Sequence, residues 1–402
     1  MILWHTVDQE DHDDGQGDLL GVAGGQYSVL QILLKFKQVQ KIAIFSAIVF
    51  LGLLGLLAAR IYLPQAKNVQ EKTADVSQDN IPPISIVATG LEVPWALAFL
   101  PFDSAQGGPD ENLLVTERDG RVRLIKDGQL FKEPVATINV KQAGESGLHG
   151  ITIHPKYPNP SYIYLYYTYS ADNNNSQNRV SRFIFDGQTL KDEQIIVDKI
   201  PGAIFHDGGR IKFGPDRYLY ITTGDAQNPS LAQDKNSLAG KILKVSEDGA
   251  IEVYSYGHRN PQGITWDNLN RLWSTEHGAS ATDELNLIEQ DRNYGWSVIR
   301  GDENREGMEN PVIHSGSQTW APAGAAFLNG SIYFAALRGQ ALFEYNIETK
   351  ALKEHFKGQF GRIRDVVLGP NKMLYITTSN RDGRGSPAAD DDKIIKINPE
   401  KL

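Results

Sequence analysis

Pairs of short apolar segments, separated by a turn rich in Gly, Pro, Asn or Asp, recur from about residue 84 to the end of the chain. The two clearest copies are IKFGPDRYLYITTGD (211–225) and VVLGPNKMLYITTSN (366–380). Their second segments are rich in aromatic and β-branched side chains, which predicts two antiparallel strands joined by a turn. A β-hairpin is therefore the predicted repeating unit.

Four weaker copies raise the number of hairpins to six, and they lie at 98–119, 151–169, 264–278 and 326–338. The six second strands are predicted to start at residues 113, 163, 219, 272, 332 and 374, so the intervals are 50, 56, 53, 60 and 42 residues. That spacing suits four-stranded propeller blades. An open sandwich is the structural alternative, but it does not explain six copies of one hairpin. We predict an all-β fold, a six-bladed β-propeller over residues 84–402.

A different pattern precedes the repeats. Residues 42–59 contain no charged side chain and are followed, after Arg60, by three more apolar residues, so residues 42–63 are predicted to form one transmembrane helix. A cleaved signal peptide and a buried globular helix are the alternatives. Residues 1–41 are predicted to be a disordered tail, or the product of a start site chosen too far upstream, and residues 64–83 a polar linker.

Composition narrows the possible functions. The chain has 40 Lys and Arg against 49 Asp and Glu, a net charge of −9, which disfavours nucleic acid as a partner. It has no cysteine, which excludes disulfides, zinc–thiolate sites, iron–sulfur clusters and a cysteine nucleophile. Its 38 glycines suit a fold with many turns.

The hairpin repeat also predicts where polar residues meet. If each turn lies on one face of the ring, residues that enter the first strand or leave the second converge on the opposite face. These positions hold Glu145, Ser146, His206, Asp207, Asp225, Arg259, Asn260, Gly278, Ala279, Thr319, Arg338, Arg362 and Arg364. Clustered guanidinium groups repel one another unless an anion lies between them, so the set predicts a well for a small polyanionic ligand.

On these residues the sequence resembles the soluble glucose/sorbosone dehydrogenase family. The resemblance covers about residues 88–398, with its motifs in order, among them GLEVPWALAF (90–99), HDGGRIKFGPDRYLYITTGD (206–225), YGHRNPQGI (256–264) and GRIRDVVLGPNKMLYI (361–376). It implies a quinoprotein that uses pyrroloquinoline quinone (PQQ) and Ca²⁺. The implied reaction oxidises the anomeric carbon of an aldose to a lactone by hydride transfer to the quinone.

The resemblance also implies a role for individual residues. His206 would be the general base, and Arg259 would stabilise the charge that develops on the quinone oxygen. The residues implied to bind the cofactor are Glu145, Arg259, Asn260, Arg338, Arg362 and Arg364. The implied calcium ligands are the backbone carbonyls of Gly278 and Ala279 for the ion that holds the quinone, and Glu284 and the Tyr294 carbonyl for a second, structural ion.

Some positions depart from the family pattern. Glu145 stands where the glucose enzyme has a glutamine, and its charge disfavours an anionic ligand unless calcium or an arginine offsets it. His149 replaces a common leucine, and for both His149 and His154 packing is the favoured interpretation. Asp225 and Asp283 either support neighbouring site residues or are solvated turn carboxylates.

Three functions follow from these residues. The first is a membrane-tethered quinoprotein dehydrogenase, with its head outside the cytoplasm, acting on an aldose and an unknown electron acceptor. The second is a calcium-dependent hydrolase of the lactonase type, which the channel arginines disfavour because they would compete with the cation for carboxylates. The third is a non-catalytic binding propeller, which would not need His206 together with Arg259, Arg362 and Arg364.

Overall fold

Six antiparallel sheets contain the strands of this protein, for which a computed structural model describes residues 82–101 and 112–402. The strands of the first half are β1 Ile84–Ala88, β2 Pro94–Phe99, β3 Leu113–Glu117, β4 Arg121–Lys126, β5 Gln129–Leu130, β6 Ala136–Thr137, β7 Leu148–Ile153, β8 Tyr162–Ser170, β9 Ser176–Phe185, β10 Leu190–Pro201, β11 Ile211–Phe213, β12 Leu219–Thr223 and β13 Lys241–Val245. Those of the second half are β14 Ile251–Tyr256, β15 Pro261–Trp266, β16 Leu272–Glu276, β17 Glu284–Ile288, β18 Ile313–His314, β19 Pro322–Leu328, β20 Ser331–Ala336, β21 Ala341–Asn346, β22 Leu352–His355, β23 Ile363–Leu368, β24 Leu374–Thr378 and β25 Ile394–Ile397. A short helix, α1, spans Ser230–Gln233, and 3₁₀ turns occupy Asp172–Asn174, Pro370–Lys372 and Pro399–Lys401.

Each sheet is one blade. The blades are β2–β3–β4–β5 with β6 added to β4, then β7–β10, β11–β14, β15–β18, β19–β22, and finally β23–β24–β25–β1. The first strands β2, β7, β11, β15, β19 and β23 contact one another in sequence, and β23 contacts β2. The ring is therefore closed, and the predicted six-bladed β-propeller is confirmed.

The N-terminal strand completes the last blade. β1 pairs antiparallel with β25, with Ile84 opposite Ile397 and Ser85 opposite Lys396. The chain therefore closes the ring by pairing its first described strand with its last.

The predicted hairpins match the inner two strands of each blade. The observed second strands start at residues 113, 162, 219, 272, 331 and 374, each within one residue of its predicted start. They read as continuous apolar runs because neighbouring blades cover both faces, and β24 is buried along its whole length. The outer strand β22 is mostly exposed, and its sequence LKEH carries no such signal.

Apolar side chains of adjacent blades pack face to face to form the core. Between the last two blades, Tyr333 and Leu342 lie in one cluster with Val366, Ile376 and Ile395. All five are at most 5% exposed. This packing holds the inner strands in place, so the loops at their ends are presented from a rigid base.

The predicted tail (1–41), the predicted membrane helix (42–63) and most of the predicted linker (64–83) lie outside the described residues. Those three assignments stay predictions. Within residues 82–101 and 112–402, no helix combines the length and the apolar character that a bilayer crossing requires.

Candidate active site

A well of about 340 Å³ opens on the face opposite the hairpin turns. Its lining comes from loops that enter the first strands or leave the second strands of the blades. The lining residues are Glu145, Phe205, His206, Arg259, Asn260, His277, Gly278, Ala279, Ser280, Asp283, Thr319, Ala321, Arg338 and Arg384. The convergence of polar residues that the repeat predicted is therefore present for most of the set.

His206 is held at both ring nitrogens. Its Nδ1 lies 2.8 Å from Asp225 Oδ1, and its Nε2 lies 2.9 Å from Arg259 Nη2. A carboxylate can only accept and a guanidinium can only donate, so the proton is on Nδ1 and the lone pair is on Nε2. Asp225 is fully buried and also accepts a hydrogen bond from Trp296 Nε1 at 2.7 Å. The imidazole thus presents a basic nitrogen in the well.

The backbone around His206 explains the glycines nearby. His206 has φ +65°, a left-handed conformation that non-glycine residues seldom adopt. A Cβ at Gly224 would lie 1.8 Å from the carbonyl oxygen of His206, so a side chain there would displace it. Gly208 has φ +64°, and its N–H donates to Asn260 Oδ1 at 3.0 Å. These contacts fix the position of the His206 backbone relative to Asn260.

Arg259 is oriented from three sides. Its backbone N–H donates to the carboxylate of Glu276, and its Nη1 donates to the His277 carbonyl at 3.3 Å. Its guanidinium carbon lies 5.3 Å from the centre of the Trp296 ring. Burial lowers the pKa of Arg259 from its usual value, although the nearby carboxylates of Asp225 and Glu276 oppose that shift.

Arg362 and Arg364 are buried and are not among the residues that line the well. Arg362 donates from Nε and Nη2 to Asp382 Oδ2, at 2.9 and 2.7 Å. Arg364 donates from Nη1 to Gln262 Oε1 at 2.6 Å, and burial lowers its pKa to about 10. The sequence placed both guanidiniums in the common cavity, whereas in this structure carboxylate and amide partners hold them beside it.

Positively charged side chains compensate the negative charge of the Glu145 carboxylate. Arg384 Nη1 donates to Glu145 Oε1 at 2.6 Å. Burial alone would raise the pKa of Glu145, but His277, Arg384 and Arg364 lower it to about 2. The sequence required calcium or an arginine to offset this carboxylate, and the structure supplies Arg384.

A second, much smaller cavity of about 20 Å³ is lined by the four residues expected to bind calcium, Gly278, Ala279, Glu284 and Tyr294, and also by Glu276. Glu276 and Glu284 face each other on β16 and β17. Burial, and then the charge of Glu276, raises the pKa of Glu284 to about 8. In the part of the chain that the structure describes, no group of three or more His, Asp or Glu side chains is placed to hold a metal.

The comparison with known proteins decides the family. The sequence profile described as glucose / sorbosone dehydrogenase matches residues 91–388. The chain belongs to the glucose/sorbosone dehydrogenase family. It is 27% identical over 363 residues to an aldose sugar dehydrogenase of Escherichia coli, which covers 79% of this chain and 92% of the relative.

Solved structures of two similar proteins share the fold. The PQQ-bound aldose sugar dehydrogenase of Streptomyces coelicolor has 35% identity and a TM-score of 0.72, covering 79% of this chain and 99% of that one. A putative oxidoreductase (glucose dehydrogenase) of Thermus thermophilus has 39% identity and a TM-score of 0.72, covering 78% of this chain and 99% of that one.

The sequence left two interpretations open for each of four residues, His149, His154, Asp225 and Asp283. In this member of the glucose/sorbosone dehydrogenase family, the structure decides between them. His149 stacks between Trp95 and Tyr166, and His154 packs against Phe213, so both are packing residues. Asp225 and Asp283 are buried, which rules out solvated turn carboxylates. Asp283 accepts hydrogen bonds from the backbone N–H groups of residues 278, 320 and 321, and so shapes the loops that line the well.

Sequence reasoning missed five residues of the site: Arg118, His277, Trp296, Asp382 and Arg384. Arg118 and His277 directly follow the second strands β3 and β16, so the same register that identified Asp225 would have found them. Trp296, Asp382 and Arg384 lie in loops that are not part of the repeat, so its register could not identify them; Arg384 lines the well, whereas Trp296 and Asp382 support Asp225 and Arg362.

Proposed function

We propose that this chain is a PQQ-dependent sugar dehydrogenase that oxidises the anomeric carbon of aldoses to lactones, with His206 as the general base. The observation that carries the proposal is the His206 imidazole, whose Nε2 lone pair is presented in a well that also contains Arg259. Calcium and the individual residue roles belong to the same proposal.

The residues present fit an anionic, hydrogen-bonding cofactor. Several buried polar atoms near the well have no hydrogen-bond partner among the described residues, namely Nε of Arg118, Arg259 and Arg364, Nδ2 of Asn260, Nε2 of His277 and Oε2 of Glu145. Five of the six are nitrogens. Unpaired buried polar groups cost free energy, so a ligand that supplies acceptors would be stabilised here.

When bound, PQQ would supply the two-electron acceptor for the hydride that leaves the sugar C1. His206 Nε2 would take the proton of the C1 hydroxyl, while Asp225 keeps the other ring nitrogen protonated and fixes the ring plane. Arg259 now donates to that same Nε2, so a substrate hydroxyl must replace this contact. The released guanidinium would then be free to stabilise negative charge beside the reacting carbon.

Oxygen ligands suited to Ca²⁺ lie next to this arrangement. The backbone carbonyls of Gly278 and Ala279 would hold the ion that also contacts the cofactor, where it would act as a Lewis acid. The Glu284 carboxylate and the Tyr294 carbonyl would hold a second ion. The Tyr294 hydroxyl donates to the Leu287 carbonyl at 2.7 Å, so only its main chain is offered as a ligand.

The test is dye reduction by the purified protein with PQQ, Ca²⁺ and a panel of aldoses. We expect activity only when both additions are present. His206→Ala should bind PQQ as the wild type does but lose on the order of 100- to 10,000-fold in turnover. His314→Ala is the matched control, because His314 pairs with the exposed Asp302 and does not line the well. Full turnover by His206→Ala would remove the proposed base, and lactone hydrolysis without quinone would favour the lactonase alternative.

For location we propose a membrane-tethered head outside the cytoplasm, either periplasmic or extracellular. The apolar residues 42–63 support the tether, and the side is inferred from where members of the glucose/sorbosone dehydrogenase family work. Protease digestion of cells from which any outer membrane has been removed tests this, because a cytoplasmic head would be protected from the added protease.

A further inference from the structure

An ion pair at the rim of the well joins two loops that are 239 residues apart in the sequence. Glu145 lies in the loop before β7, and Arg384 lies in the loop between β24 and β25. The blade that contains β2 stands between these two blades in the ring. The Arg384 guanidinium carbon also lies 5.3 Å from the centre of the Phe205 ring, next to His206. Arg384 thus reaches from the last blade into the lining of the well.

Several arginines surround this pair. The strongest electrostatic interactions of Arg118 and Arg364 include attraction to Glu145 and Asp382 and repulsion from neighbouring arginines. Nε of Arg118 and Nε of Arg364 are buried and have no partner in residues 82–101 and 112–402. An anionic group with hydrogen-bond acceptors would reduce the repulsion and satisfy these donors.

The loop that carries Arg384 is fixed to Arg362. The backbone N–H of Arg384 donates to Asp382 Oδ1 at 2.9 Å, and Oδ2 of the same carboxylate holds Arg362. A Cβ at Gly385 would lie 2.6 Å from the Asn380 carbonyl oxygen and 3.0 Å from Arg362 Cδ, so the loop packs directly on that side chain. The Arg384 side chain itself is 52% exposed. Its backbone is therefore anchored, and its half-exposed guanidinium is held at the rim by Glu145.

We propose that Arg384 is a further cofactor-binding residue, which neutralises Glu145 and donates to a carboxylate of PQQ. This inference rests on the proposed function. Glu145 holds the guanidinium at the rim before the ligand arrives, and Arg384 in turn prevents the Glu145 carboxylate from repelling the anionic cofactor. The two residues then act as a pair, since each changes what the other contributes to binding.

The experiment measures PQQ affinity of the cofactor-free full-length protein, by tryptophan fluorescence in buffer with Ca²⁺. We expect Arg384→Ala to weaken binding about 10- to 100-fold, since it removes a charge-assisted donor and leaves Glu145 uncompensated. Glu145→Gln is expected to tighten binding several-fold. The double variant should bind more tightly than Arg384→Ala alone, because the uncompensated carboxylate is gone.

Arg271→Ala is the matched control, since Arg271 is a partly exposed arginine paired with Asp267 at 2.7 Å, next to the turn of an inner hairpin. It should bind PQQ as the wild type does. Unchanged affinity in Arg384→Ala, or a double variant as weak as Arg384→Ala, would overturn the inference while leaving the proposed function intact. A wild type that binds no PQQ would overturn both. Glu145→Gln keeps the test valid if Arg384→Ala does not fold, because unaltered or weaker binding by that variant also rejects the pairing.

Discussion

His149 connects the stability of the propeller to pH. The ring is 2% exposed and lies between the rings of Trp95 and Tyr166, with centroids 5.1 and 5.8 Å away. Its Nε2 is 2.9 Å from the Glu145 carbonyl oxygen, and its Nδ1 has no partner within the described part of the chain. Burial is the main cause that lowers the pKa of His149 from 6.5 to about 4. The site is therefore built for a neutral imidazole.

The sign and size of the effect follow from these two values. Below pH 6.5 the unfolded chain takes up a proton at this imidazole, while the folded chain does so only below about pH 4. The stability contributed by neutral His149 is therefore fully present above pH 6.5 and is lost as the pH falls toward 4. One pKa unit corresponds to about 1.4 kcal/mol, so the difference between 6.5 and about 4 contributes about 3 kcal/mol to the free energy of unfolding. About 2 kcal/mol of this contribution is lost between pH 7 and pH 5.

The variant His149→Leu removes this dependence, and urea denaturation at pH 7, 6 and 5 measures it. We expect the wild type to lose about 2 kcal/mol more than the variant over that range. His149→Phe is the control, because a different shape with the same lack of titration should give the same pH slope. Other buried groups, such as Asp207, whose pKa burial raises to about 6, titrate in all three proteins and cancel in the difference. Equal slopes in the wild type and both variants would refute the reasoning.

Two further substitutions test the catalytic and the structural networks. Asp225→Asn is expected to lower kcat about 10- to 100-fold with little change in PQQ affinity, because an amide orients and supports the His206 imidazole less well; steady-state kinetics and a binding titration check both parts. Lys241→Met is expected to lower the free energy of unfolding by about 3 kcal/mol, since the buried Nζ donates to three backbone carbonyls in residues 231–239. Chemical denaturation measures this, and a loss below about 1 kcal/mol would show that water replaces the ammonium.

The fold was predictable because the inner hairpins carry a strong local signal. β12 and β24 have the same sequence, LYITT, and both are buried from end to end because blades cover both faces. The outer strands were not predictable in the same way, since β22 is largely exposed and β14 is only partly buried, so neither carries a continuous apolar run. Closure of the ring by β1 also has no local signal, because it depends on the pairing of residues more than 300 positions apart.

The positions of the site residues were predictable, but the hydrogen bonds between their side chains were not. His206, Asp225 and Arg259 were identified because each lies at a fixed place relative to a hairpin. The hydrogen bonds that join them depend on loop conformations which the repeat does not encode, and the same holds for the pairing of Arg362 with Asp382. Side chains that reach the well from longer loops, as Arg384 does, can be found only once the ring is assembled.

The conformation of His206 is fixed by the residues around it. A left-handed backbone at a non-glycine residue costs of the order of 1 kcal/mol and persists only where surrounding structure enforces it. Here the enforcement comes from Gly224, which leaves room for the His206 carbonyl, and from the buried Asp225, which holds the ring. Positive φ also occurs at 18 other non-glycine residues of the described chain, so the backbone conformation alone does not set His206 apart. What distinguishes it is that both of its ring nitrogens are held, by Asp225 and by Arg259, beside the well.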